Sequence, residues 1–166
     1  MYKRQEYCET HSFEGEKNQI LSVPPSYSKS QNLTFLVGLG ENKVDNNFYD
    51  IGTLIGSKIK SDAEIKFLNF EEEKNLIIDG ILYVQYKFNN YKSEDDSSIN
   101  NITFKDIDSS VNEIKKDSVF WVRDLINTPA LDKSPEEFID KVKELVDSSD
   151  IDVEVYDKKW LEENNF

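Results

Sequence analysis

Residues 33–39, LTFLVGL, decide the fold class of this chain. The run is almost continuously apolar, which is typical of a strand that is covered on both faces, as in the interior of an α/β sheet. A shorter apolar run at residues 19–23 (QILSV) ends at Pro24-Pro25 and predicts another strand before it.

Helix and strand patterns alternate after this run. Asn46-Asn47 predict a helix N-cap. The apolar residues after them recur at helical spacing, and two glycines four residues apart predict close approach of this helix to the sheet. Strands are expected at residues 64–70, 102–107 and 151–156, and a polar loop at 92–101. The residues of the first predicted helix are Phe48, Ile51, Gly52, Ile55, Gly56 and Ile59.

Three further helices are expected. One follows Glu71-Glu72-Glu73 and runs toward Tyr86. Another begins at Ser110 with a capping glutamate at Glu113 and stops at Pro129. A third begins at Ser134-Pro135 with a capping glutamate. A short helix starts at Asp157. The apolar faces comprise Val111, Ile114, Trp121, Val122 and Leu125 in the second helix, and Phe138, Ile139, Val142, Leu145 and Val146 in the third.

Composition excludes several classes of protein. The 166 residues include 33 acidic and 20 basic side chains, a net charge of −13, which argues against a nucleic-acid module. No apolar run is long enough to span a membrane, and the start has no signal-peptide pattern. A single cysteine excludes an internal disulfide. We therefore expect an acidic, cytoplasmic, globular α/β protein without nucleic-acid or membrane partners.

Candidate chemistry is sparse. Gly38 and Gly40 lie between a predicted strand and a predicted helix, where a phosphate-binding loop would lie. The third glycine of a dinucleotide-binding fingerprint would fall at residue 43, which is Lys43. The alternative interpretation is a tight turn. Cys8 and His11 have metal-site spacing without further Cys or His. Four carboxylate pairs fit solvated or helix-start acids better than a two-metal site. These pairs are Glu72-Glu73, Asp95-Asp96, Glu136-Glu137 and Glu162-Glu163. We predict no catalytic, cofactor-binding or metal-binding residue.

Two stretches resemble the leucyl aminopeptidases, peptidase family M17. The stronger is residues 123–129 (RDLINTP), followed by residues 134–138 (SPEEF) and then by residues 153–157 (VEVYD). The other comprises residues 36–40 (LVGLG), the helix with Gly52 and Gly56, and residues 79–82 (DGIL), which lead to residues 86–92 (YKFNNYK). The resemblance runs from about Gly15 to the last residue.

The resemblance implies a domain organisation and a fold. Residues 1–14 would be a disordered tail or a sequencing scar. Residues 15–109 would form part of the N-terminal domain, a macro-domain-like three-layer α/β sandwich with a mixed sheet. Residues 110–126 would form a connecting helix. Residues 127–166 would be the truncated start of the catalytic domain, whose apolar helix face would be exposed.

The resemblance also implies a function. Family members are cytoplasmic, hexameric aminopeptidases that use two zinc or manganese ions to hydrolyse the N-terminal peptide bond. Their metal ligands and catalytic lysine belong to a segment that this sequence does not contain. We therefore expect a fragment of a metal-dependent peptidase that is inactive alone and holds no cofactor. The alternative is a stand-alone domain that binds a nucleotide such as ADP-ribose, or serves in assembly.

Overall fold

The computed structural model describes residues 2–27, 32–41, 47–68, 70–91, 100–147 and 149–166. These residues form two compact units, Met1–Trp121 and Val122–Phe166. Helices and strands are mixed along the chain, so the α/β prediction is confirmed. The elements are α1 (Tyr2–Thr10), β1 (Ile20–Val23), β2 (Thr34–Val37), α2 (Phe48–Gly56), β3 (Ala63–Ile65), α3 (Lys74–Tyr83), β4 (Ile102–Phe104), α4 (Ser110–Asn127), α5 (Pro135–Val146) and α6 (Lys158–Glu163).

The strands pair in two short ladders. β1 and β2 are antiparallel, with Ile20 opposite Val37. β3 and β4 are parallel, with Ala63 opposite Ile102, and α3 lies between them in sequence, as a parallel crossover requires. The expectation that β2 is covered on both faces is wrong, because all four of its residues are only partly buried. Among the described strands, β2 pairs with β1 alone.

The core of the first unit forms where α2 packs against α3. Asn47 caps α2 as predicted, its side chain accepting from the backbone N–H of Tyr49 at 3.2 Å. Asn46 lies outside the described residues. Ile59 lies beyond the end of α2 but still packs against the core. The buried cluster comprises Ile51, Ile55, Ile77, Ile78, Ile81, Leu82, Ile102 and Phe104.

Three glycines set the distance between these helices. A Cβ placed at Gly52 would overlap the backbone carbonyl of Ile77, and one at Gly80 would overlap that of Tyr49. At Gly56 it would lie 2.8 Å from the carbonyl oxygen of Ile81. The prediction that the glycines of α2 approach the sheet is therefore wrong, since they contact α3. The helical pattern identifies the face of α2 that is buried but not the element that covers it.

The predicted bounds change at several elements. The strand expected at residues 64–70 is limited to β3, and Phe70 lies in the left-handed region at φ 70°. α3 ends at Tyr83 rather than Tyr86. The strand expected at residues 102–107 ends at Phe104. Most of the loop expected at residues 92–101 lies outside the described residues.

The N-terminal residues form a helix where we expected a disordered tail. α1 has no apolar period, but the ring of Tyr7 lies 4.6 Å from that of Tyr27, centroid to centroid. The Tyr7 hydroxyl also donates to the carbonyl of Ser22. These contacts fix a segment whose own pattern gives little helix signal. A helix says nothing about the origin of the residues, so the sequencing scar stays a prediction.

The first turn of α4 departs from its predicted capping and burial. Glu113 accepts from the hydroxyl of Ser109 at 2.7 Å, while the backbone N–H of Ser110 donates to Asp108 at 3.0 Å, so Asp108 rather than Glu113 satisfies this donor. Val111 and Ile114 are exposed, whereas Asn112 is only 3% exposed. The helix ends at Asn127 as predicted, where the buried Thr128 hydroxyl donates to the carbonyl of Asp124.

The second unit contains two well-capped helices and one unpaired segment. Ser134 and Glu137 form the predicted capping box of α5, and Asp157 caps α6 by accepting from Trp160. The apolar face of α5 is not buried, and Phe138 and Leu145 are exposed. The strand predicted at residues 151–156 is absent from the described ladders, because no neighbouring strand pairs with it.

We expect the substitution Gly80→Ala to destabilise the chain. Alanine gains about 1 kcal/mol over glycine in a helix interior. Overpacking a tight contact costs about 1–3 kcal/mol, and we expect about 2–3 kcal/mol here because the obstacle is the backbone of α2, which cannot rotate away. Denaturant unfolding should show a net loss of about 1–2 kcal/mol.

The matched control is Ser118→Ala on the exposed face of α4. Its effect should stay within about 0.5 kcal/mol. Equal effects of the two substitutions would contradict the glycine contact.

Candidate functional site

The Gly38–Gly40 turn is filled by the chain's own backbone. A Cβ at Gly38 would overlap the carbonyl oxygen of Glu16, and Gly40 has a φ of +67°. The N–H of Gly38 donates to the carbonyl of Gln19, and that of Gly40 to Gly15. These donors are therefore engaged, and the turn matches the tight-turn alternative rather than a phosphate cradle. Lys43 lies outside the described residues.

The side chain of Gln19 holds the loop that fills this turn. Its amide oxygen accepts from three consecutive backbone N–H groups, at 2.9, 2.9 and 3.2 Å. Its amide nitrogen donates to the carbonyl of Ser12 at 2.7 Å. The loop is thus ordered by one polar side chain. The three donors belong to Glu14, Gly15 and Glu16.

The remaining sequence candidates do not converge. Cys8 and His11 lie at the C-terminal part of α1 and beyond it, and the His11 ring lies 4.0 Å from that of Tyr7. In the described part of the chain, no three Cys, His, Asp or Glu side chains lie together as a cation would need. Three of the four carboxylate pairs are described, and Asp95-Asp96 lies outside the described residues.

A buried polar cluster joins α3 to α4. Asp79 is 8% exposed and accepts from the Asn112 side-chain amide at 2.7 Å. Asn112 also donates to the carbonyl of Asn75 at 3.1 Å, and the Lys115 ammonium lies 3.6 Å from the other Asp79 oxygen. Asp79 was not among the expected functional residues, although an acid inside the apolar run at residues 76–82 (LIIDGIL) is a visible signal.

Two exposed groups have shifted pKa values. The backbone N–H of Ser110 donates to Asp108 at 3.0 Å and lowers the pKa of that carboxyl, with a further contribution from the Ser110 side chain. The Tyr156 hydroxyl donates to Glu154, which raises the pKa of Tyr156. Both are local capping or pairing effects, and neither group belongs to the lining of the cavity at β3 and β4.

A cavity of about 200 Å³ lies at the carboxyl ends of the parallel strands β3 and β4. Its lining combines positively and negatively charged side chains with two apolar side chains. Ligand sites in α/β sheets are commonly found at this edge of parallel strands. The lining residues are Lys66, Phe67, Glu71, Lys74, Lys105, Asp106 and Ile107.

Comparison with known proteins identifies the fold. No family model matches the chain. The probable cytosol aminopeptidase of Clostridium tetani (strain Massachusetts / E88) is 25% identical over 177 residues, which cover 93% of this chain and 36% of that protein. The resemblance to the leucyl aminopeptidases is confirmed. This chain spans about a third of the length of the curated relative that it matches.

Solved structures agree on the fold. The cytosol aminopeptidase of Coxiella burnetii is 22% identical with a TM-score of 0.72, over 98% of this chain and 35% of that one. The bottromycin maturation enzyme BotP is 18% identical with a TM-score of 0.76, over 95% and 37%. A variant of tomato leucine aminopeptidase is 16% identical with a TM-score of 0.75, over 95% and 35%. The fold matches the N-terminal domain of leucine aminopeptidases.

No described helix is long and apolar enough to cross a membrane.

We expect Asn112→Leu to destabilise the chain by about 2–3 kcal/mol, because it leaves the buried Asp79 carboxylate without its amide donor. Lys115→Met removes a half-exposed ammonium and should cost less than about 1 kcal/mol. The double variant Asp79→Leu/Asn112→Leu should recover stability relative to Asn112→Leu, which denaturant unfolding would measure. If Asn112→Leu were as mild as Lys115→Met, the cluster would not hold α4.

The lowered pKa of Asp108 predicts an acid-dependent loss of helix capping. Its contribution to stability is complete above the unfolded value of about 3.8 and disappears as the pH falls through the lower folded pKa. An NMR titration of the Asp108 carboxyl carbon should give a midpoint below 3.8.

The control is Ser110→Ala, which keeps the backbone donor. Its titration midpoint should stay below 3.8, although by less than in the parent chain. A midpoint at or above that value in the parent chain would contradict the capping contact.

Proposed function

We propose that this chain is the N-terminal region of a metal-dependent aminopeptidase of the leucyl aminopeptidase family. In this proposal residues 15–109 are part of the N-terminal domain, residues 110–126 are the connecting helix, and residues 127–166 begin the catalytic domain. The whole enzyme would release N-terminal amino acids from peptides. The support is the Clostridium tetani relative, which is named a probable cytosol aminopeptidase. This chain matches about a third of the length of that protein.

The unpaired segment at residues 151–156 carries the proposal on structural grounds. Its apolar side chains alternate with acids, a pattern that requires a sheet with one covered face. Ile151 and Val155 are nevertheless 61% and 45% exposed, and no described strand pairs with the segment. The exposed face of α5 fits the same explanation. Both elements have the surfaces of a layered α/β domain whose other layers are elsewhere in the whole enzyme.

The described residues do not fit a two-metal site. Such a site needs several oxygen or nitrogen ligands converging on two ions, and the described acids do not cluster. In the whole enzyme, bound metal would polarise the scissile carbonyl and lower the pKa of a water molecule. Two zinc or manganese ions would therefore be held by another part of the enzyme, and we propose that residues 1–166 alone are inactive.

The remaining parts of the proposal concern the cell and the assembly. The relative's name, probable cytosol aminopeptidase, favours a cytoplasmic location. A homo-hexamer is the assembly that the family resemblance implies. Nucleotide binding at the Gly38–Gly40 turn has no support, since the backbone of Gly15 and Glu16 fills the space.

Leucine anilide hydrolysis tests the proposed inactivity. Purified residues 1–166 with Mn²⁺ or Zn²⁺ should show no turnover above metal and buffer alone, because no ligand set converges in the described chain. Turnover that copurifies with the chain and disappears in acid-to-amide variants would contradict the proposed absence of a site.

A second experiment tests whether this chain is the N-terminal region of a longer aminopeptidase. A chimera should join residues 1–166 to the part of the Clostridium tetani protein that this chain does not match. The control carries a lysine-to-alanine change in that appended part. We expect metal-dependent hydrolysis from the first only. A folded chimera without activity, or a natural reading frame that continues without a lysine and carboxylate metal set, would contradict the proposal.

A further inference from the structure

The cavity at the carboxyl ends of β3 and β4 has features of an anion site. Lys66 directly follows β3 and Lys105 directly follows β4, so the parallel pairing brings both to the same edge. Lys74, the first residue of α3, completes a set of three lysines from three elements. Three lysines therefore line one cavity in a chain of net charge −13.

The charge balance leaves two of these lysines available. Lys74 pairs with Glu71 at 3.2 Å, which neutralises one lining acid. Within the described residues, neither Lys66 nor Lys105 forms an ion pair, and Asp106 is the other acid of the lining. The lining, with three lysines and two acids, thus carries one excess positive charge.

The start of α3 adds acids as well as Lys74 to this edge, since Glu71, Glu72 and Glu73 directly precede the helix. The helix is ten residues long, and its N-cap residue Glu73 makes no side-chain capping hydrogen bond. These acids offset the positive end of the helix dipole, so the positive charge of the cavity comes from its lysines. The lysines supply the point charges that phosphate binding commonly uses.

The other lining groups indicate that the anion belongs to a small organic ligand. Phe67, whose ring stacks on Phe104 at 6.3 Å, and Ile107 form apolar walls. Asp106 is an acceptor for a ligand hydroxyl. A volume of about 200 Å³ is below the range for drug-sized ligands, which restricts this ligand to a few carbon atoms.

We propose that this cavity binds a small hydroxylated phosphomonoester. The phosphate contacts Lys66 and Lys105, Lys74 lies at the same cavity in its pair with Glu71, and a ligand hydroxyl donates to Asp106. The site is independent of the proposed peptidase function, because all of its residues belong to the first compact unit and none is assigned to peptide hydrolysis.

Amide NMR titration of the full 166-residue chain tests the site. The probes are inorganic phosphate and glycerol 3-phosphate at constant ionic strength, with chloride as the reference anion. We expect saturable shifts centred on residues 66, 74 and 105, with glycerol 3-phosphate binding more tightly than phosphate. Shifts that do not saturate, or that chloride reproduces, would overturn the proposal as general charge screening.

Substitutions then separate a built site from surface charge. Lys66→Gln and Lys105→Gln should each weaken binding by roughly three- to tenfold. Lys58→Gln, an exposed lysine of the same unit outside the lining, is the matched control and should leave the affinity unchanged. Equal weakening by all three variants would overturn the proposal.

Asp106→Asn tests the hydroxyl contact. Asp106 has a φ of 60°, a conformation that asparagine tolerates well, so the variant should fold. Removing the negative charge should tighten phosphate binding. Because the carboxylate acceptor is lost, it should also reduce the preference for glycerol 3-phosphate. An unchanged preference would contradict the role of Asp106 and the choice of a hydroxylated ligand.

Discussion

The contact between α2 and α3 is the constraint on which the first compact unit depends. Gly52, Gly56 and Gly80 let the two helix backbones approach until a single Cβ would collide with a carbonyl. This closeness brings Ile51, Ile77 and Ile78 into one fully buried group. The parallel ladder of β3 and β4 contributes Ile102 and Phe104 to the same core. The strands are only three residues long, so they complete the core rather than define it.

The polar cluster on α3 depends on the same packing. The residues of α3 that face α2 are apolar or glycine, while Asp79 lies among buried residues of the same helix. Burying a carboxylate is unfavourable unless hydrogen bonds or an opposite charge compensate it. Asn112 and Lys115 supply both. The first half of α4 is therefore held by polar contacts, while its apolar residues Val111 and Ile114 remain exposed.

Local sequence signals predicted much of this structure. Capping patterns located the starts of α2, α5 and α6, because they depend on neighbouring residues alone. Apolar periodicity identified the buried positions Ile51 and Ile55, whereas the glycines of the same helix were predicted to approach the sheet but contact α3 instead. The prediction of a strand at residues 151–156 was wrong for another reason. The alternating pattern is present, but no strand of the described residues pairs with it. α1 formed without a periodic signal because Tyr7 contacts residues near β1.

The candidate sites were less predictable. Glycines after a strand resembled a phosphate loop, and only the fold revealed that residues 15 and 16 fill the space. The lysines of the cavity are isolated in sequence, at positions 66, 74 and 105, and meet only because β3 and β4 run in parallel. Asp79 was visible as an acid in an apolar run, but its partners come from a helix more than thirty residues away.

The unpaired segment at residues 151–156 has a consequence for the behaviour of the chain in solution. A short alternating segment that pairs with no described strand is a template for pairing with its own copies. Asp152 and Glu154 place a carboxylate at every second position, so neighbouring copies in register repel each other at neutral pH. The solubility of the chain thus depends on two side chains that make no contribution to its core.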